Sequence, residues 1–119
     1  MRAVYIQEYQ RVYNKICAKQ DFTHDFPNSY GRYIVSNKNV YTGKNPSKEF
    51  GLIGKISEII NGDDSTTYDS IGGWLDPDTG EYHVDLNLHL SELKIAIMLA
   101  NSNNQKSIYD NELKQVIWI

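Results

Sequence analysis

The chain has 119 residues, 40% hydrophobic and 23% charged, with a net charge of −3 and one cysteine. This is enough length for one domain with its own core, and the composition excludes a disordered chain. No apolar run reaches the roughly 18–20 residues of a membrane span. Cys17 alone excludes an intramolecular disulfide and a cysteine-based zinc site. The opening MRAVYIQEYQ lacks the apolar core of a secretion signal, so the cytoplasm is the expected compartment.

Charge divides the chain. Residues 1–62 carry a net +4 and residues 63–119 a net −7. The expectation is a single domain, 1–119, with a basic helix-strand-helix half and an acidic β-β-α-β-β half.

Residues 2–19 read as a helix, with Tyr5, Tyr9, Val12, Tyr13 and Ile16 on one face at a 3.6-residue period. Gln20 to Ser29 reads as a loop, punctuated by Pro27, Asn28 and Ser29, with His24 a surface histidine in it. Tyr30 to Ser36 has strand content. Val40 and Tyr41 suggest a short strand paired back across Asn37–Asn39, which would hold Lys38 and Lys44 at an exposed tip. A second helix follows, with Asn45 or Ser47 as cap, Pro46 in its first turn and a stripe of Phe50, Ile53, Ile56, Ile59 and Ile60. Gly51 and Gly54 weaken it. The GLIGK within it lacks the spacing of a phosphate-binding loop. Asp63 to Thr66 reads as a polar linker.

Tyr68 to Leu75 is a predicted strand leading into Asp76-Pro77-Asp78-Thr79-Gly80, whose proline, aspartates and glycine each suit a turn. Glu81 to His89 then alternates: Tyr82, Val84, Leu86 and Leu88 face one way, His83, Asp85, Asn87 and His89 the other. The polar side carries metal-ligand residue types. Alternate side chains along one strand lie about 6.5–7 Å apart, which keeps His83 and His89 from a common ion, so no metal and no cofactor is expected. Ser91 is a predicted N-cap for a helix through Ala100 that is apolar nearly all round and expected to be well buried. Ser107–Tyr109 and Lys114–Ile119 read as two closing strands. The whole is an α+β fold, a small antiparallel sheet of four to six strands with about three helices and a C-terminal β-hairpin–helix–β–β module.

Gly72-Gly73-Trp74, Asp76, Thr79-Gly80, Tyr82, Val84-Asp85, Leu93, Leu99-Ala100, Asn104-Gln105 and Ile108-Tyr109-Asp110 together resemble a short C-terminal module. It occurs in small proteins of phages and other bacterial mobile elements. The resemblance spans about the last 48 residues and carries no chemistry. It implies a mobile-element accessory protein in a bacterial host cell, a class that includes anti-CRISPR and other anti-defence inhibitors.

No placed acid, base, nucleophile or metal set marks an enzyme; Cys17, beside Ile16, reads as a structural thiol. The expected function is therefore non-enzymatic: binding and inhibition of a host nuclease or nucleoprotein complex. The acidic residues Asp76, Asp78, Glu81 and Asp85, with Trp74, Tyr82 and His83, are the expected contact surface, since acids compete with phosphates for a basic channel. The alternatives are nucleic-acid binding through Lys38, Lys44, Lys48 and Lys55, and a self-associating structural phage protein, a homodimer.

Overall fold

A computed structural model describes residues 6–27 and 29–119. Tyr5, assigned to the first helix face, and Asn28, assigned to a turn, lie outside the described residues. The elements in chain order are α1 (Glu8–Cys17), β1 (Phe22–Asp25), β2 (Tyr33–Gly43), a 3₁₀ turn (Pro46–Lys48), α2 (Leu52–Asn61), α3 (Asp64–Thr67), β3 (Ser70–Leu75), β4 (Tyr82–Leu90), α4 (Leu93–Ser102), β5 (Ser107–Asp110) and β6 (Gln115–Trp118). The fold is α+β. All six strands join one antiparallel sheet in the order β1-β3-β4-β2-β5-β6.

β4 is the spine, paired with β3 along one side and with β2 along the other. Because opposed residues in an antiparallel pair project to the same side, its alternation sorts the whole sheet. Tyr82, Val84 and Leu86 face α1 and α2, and form one core with Val12, Ile16, Ile56, Ile59, Ile60 and Ile71. Leu90 lies further along the same side. There it joins a second core with Tyr33, Val35 and Ile108 under Ala96 and Ala100 of α4. The three longer helices thus share one side of the sheet, and among the described residues no helix packs on the other.

Several elements depart from the sequence reading. Phe22–Asp25 is an edge strand paired with β3 rather than part of a loop, so His24 is a strand residue half-buried beside Glu8 of α1. The expected hairpin across Asn37–Asn39 is absent. β2 runs unbroken for 11 residues, with register shifts at Ser36/Lys38 and Asn39/Tyr41. Each shift inserts one residue that has no partner across the ladder, which breaks the alternation that identifies a strand. Lys38 therefore lies within the sheet, opposite Leu86, rather than at a tip.

The second helix begins late. Gly51 takes a left-handed φ of 78° and separates the 3₁₀ turn from α2. Phe50 is consequently fully exposed and Leu52 takes its place in the core. Asp64–Thr67 is a short helical turn rather than an open linker. On α4 the expected all-round burial fails: Ala96 and Ala100 pack on the sheet while Leu93, Ile95 and Met98 are exposed. β2 of the basic half sits between β4 and β5 of the acidic half.

Candidate binding face

The helix-free side of the sheet collects the polar residues of four strands. From β3 come Ser70 and Trp74; from β4, His83, Asp85, Asn87 and His89; from β2, Ser36, Asn39 and Thr42; from β1, Asp25. Gly72 lies among them, and a side chain there would press within 3.0 Å of Asn87 Nδ2.

Two linked clusters result. In the outer one, the Trp74 ring lies against the His83 imidazole, centroids 4.6 Å apart and planes 16° apart. His83 Nδ1 is 3.1 Å from Thr42 Oγ1. Asn39 Nδ2 donates to Thr42 Oγ1 at 3.0 Å and to Asp85 Oδ1 at 3.1 Å. Ser36 Oγ bridges onward, 3.4 Å from both Asp85 Oδ2 and Asn87 Oδ1. In the inner cluster Asn87 Nδ2 donates to Ser70 Oγ at 3.1 Å, and Ser70 Oγ lies 2.8 Å from His89 Nε2.

Burial governs the charges. It raises the Asp85 carboxyl above the usual carboxylate range, although Asn39, His83, Ser36 and Trp74 pull the other way. It lowers the His89 imidazole below the usual histidine value, opposed by Asp25 and Asp69. Asp25 Oδ1 approaches the same His89 nitrogen that faces Ser70, at 4.0 Å. A Ser-His-Asp relay needs the carboxylate on the other ring nitrogen, and Ser70 is buried. Among the described residues, no group of three or more His, Cys, Asp or Glu converges as a metal site.

The hairpin tip beside the outer cluster is pre-shaped. Asp76 Oδ1 accepts the Asp78 N–H at 2.9 Å, Thr79 Oγ1 accepts the Glu81 N–H at 3.2 Å, and Gly80 supplies the positive φ of 74° that the turn needs. Asp76 and Asp78 thus sit just beyond Trp74 on one arm, and Glu81 just before His83 on the other.

Of the residues read as a contact surface, Trp74, His83 and Asp85 come together on this face, and Asp76, Asp78 and Glu81 form its adjoining tip. Tyr82 does not belong. It points to the helix side, is fully buried, and its hydroxyl donates to the Gln20 carbonyl at 2.6 Å. Among the alternative basic residues, Lys38 and Lys55 line one shallow cleft, but Glu58 and Asp64 line it too. Lys55 Nζ is spent on the Val40 carbonyl at 3.3 Å. Lys44 and Lys48 are not among the residues lining that cleft.

Sequence reasoning missed Ser36, Asn39, Thr42 and Ser70. The signal for Ser70 was available, since it shares its parity along β3 with Trp74. Asn39 and Thr42 carried none, because the bulges hide their facing, and Ser36 shares its parity with the apolar Ile34.

Compared with protein-family models, curated proteins and solved structures, the chain matches none. The class that fold and face define is an α+β protein with one helix-free sheet side bearing a polar and aromatic network. Among the described residues no helix is long and apolar enough to cross a membrane.

Proposed function

We propose that the chain is a non-enzymatic binding protein whose acidic and aromatic face docks on a basic surface of a host nuclease or nucleoprotein complex and inhibits it. One observation carries the reading: Trp74, 45% exposed and stacked on His83, stands next to a hydrogen-bonded acidic turn on the side of the sheet that no helix of the described residues covers. A large aromatic held in one orientation loses little entropy on contact, which is why tryptophan is frequent among the residues that dominate interfaces. Carboxylates around it steer association with a cationic patch. The context of a mobile element and an anti-defence role rests on the resemblance of Gly72–Asp110 to phage-protein modules.

The nucleic-acid reading is weaker on physical grounds. Phosphate binding needs uncompensated cations, and the cleft shared by Lys38 and Lys55 also holds Glu58 and Asp64.

The test is capture from host lysate on the tagged protein, repeated after nuclease digestion. It is followed by a cleavage assay of the captured nuclease with added protein. Capture and inhibition that survive digestion, and that are lost together in D76K/D78K and in W74A, support the proposal. Nucleic acid recovered alone, or inhibition indifferent to those substitutions, sinks it.

A further inference from the structure

The two edges of the sheet differ in kind. β1 is a blunted edge: Asp21, Thr23 and Asp25 are exposed along it and Pro27 follows it, and charge and proline are the usual means of discouraging strand addition. β6 is the opposite. No charged residue lies between Gln115 and Ile119, and its apolar side chains stand in the open, Val116 at 49% and Trp118 at 76%.

The backbone of β6 has a definite parity. Ile119 donates its N–H to the Lys106 carbonyl of the segment entering β5. Alternation then turns the N–H and C=O groups of Gln115 and Ile117 toward β5 as well, and those of Val116 and Trp118 outward, where β6 has no neighbour among the described residues.

We propose that β6 pairs antiparallel with β6 of a second copy about a two-fold axis through Ile117, giving a dimer with one continuous sheet. This register follows from the parity. It sets Ile117 against Ile117 of the partner as a non-hydrogen-bonded pair. Val116 then opposes Trp118 at two places, each closing a pair of backbone hydrogen bonds. No like charges come opposite one another, because the paired segment has none. A second copy fits better than an arbitrary strand because the same residues complement themselves, and a two-fold contact closes. Pairing β6 with the acidic β1 edge of another copy would instead build an open filament.

Size sets the strength. The exposed apolar residues of the paired segment are Val116, Trp118 and Ile119, at 49%, 76% and 41%. With about 250 Å² for the tryptophan and roughly 150 Å² for each aliphatic, these amount to at most about 300 Å² per copy. The total of about 600 Å² lies below the 1,200–2,000 Å² of a standard stable interface, so the dimer is weak and concentration-dependent. This inference stands apart from the proposed binding face, which uses other residues.

Sedimentation of the full chain from roughly 1 to 500 μM should show a reversible monomer–dimer equilibrium and nothing larger. V116P removes an outward N–H that β5 does not use, and W118K places a charge on the edge. Each should weaken association at least about tenfold while leaving the monomer's circular dichroism unchanged. I117C should cross-link two copies under mild oxidation, because Cα atoms about 4.5 Å apart at a non-hydrogen-bonded pair suit a disulfide. The parent chain, with Cys17 only, should not. A monomer at every concentration, a dimer indifferent to both edge substitutions, no I117C cross-link, or open-ended growth would each overturn the proposal.

Discussion

Arg32 and Asp110 form a two-pronged ion pair, Nε to Oδ1 and Nη2 to Oδ2, each at 2.9 Å. The same carboxylate accepts the Glu112 and Leu113 N–H groups at 3.0 and 3.2 Å. One buried side chain therefore shapes the β5–β6 turn and ties it to the segment entering β2. Arg32, with the turn N–H groups, holds the Asp110 carboxyl down at about 2. A carboxylate whose folded value lies below its unfolded one, about 3.9, gives its full contribution above that value and loses it as pH falls toward 2. Melting temperature followed against pH should show D110N well below the parent at pH 7, with the gap narrowing as pH falls from 4 toward 2. A gap constant with pH would contradict the pair's role.

Asp85 and His89 should push stability in opposite directions. The raised Asp85 carboxyl means that the unfolded chain ionises first as pH rises, so the fold is penalised from about pH 4 upward. D85N should be no less stable than the parent at pH 7, and more stable if Asn39 and Ser36 keep their contacts. It should also lose partner capture, if the face binds as proposed. The lowered His89 imidazole is neutral in the fold, so stability falls as pH drops below about 6.5, where the unfolded chain takes the proton first. Denaturant midpoints across pH 4–8 for D85N and H89Q separate the two effects.

Phe50 and Ile56 were equal members of one predicted stripe, yet one is fully exposed and the other fully buried. Chemical unfolding should show I56A costing about 2–5 kcal/mol, the range for a truncated core side chain. F50S should stay within about 0.5 kcal/mol of the parent, as surface changes usually do. Comparable losses would mean that the helix begins before Gly51.

Where the chain alternates on its own, the sequence was legible. The turn at Asp76–Gly80 and the facing of β4 followed from local chemistry, and with them the side taken by His83 and Asp85. That same alternation already set Tyr82 with Val84 and Leu86, so its burial contradicts only its assignment to a contact surface. β2 was illegible because its two bulges break the period. β1 was illegible because its strand state comes from β3 rather than from Phe-Thr-His-Asp itself. α4 was misjudged for a different reason: Ala96 and Ala100 are small enough to let the helix lie close to the sheet, so its larger apolar residues need not be inside. Asn39 and Thr42 reach Asp85 and His83 through pairing across more than 40 residues, which no local pattern encodes.

The position of β2 between β4 and β5 gives the molecule an assembly order. During synthesis β2 must wait, unpaired on both sides, until the ribosome has released residues some 50 further on, and slow non-local pairing of this kind exposes strand edges meanwhile. A chain severed near Gly62 would leave one fragment holding the middle strand and the other holding both of its neighbours. Neither could close the sheet alone. The +4 and −7 net charges of those fragments favour their meeting, which makes the protein a natural candidate for reconstitution by fragment complementation.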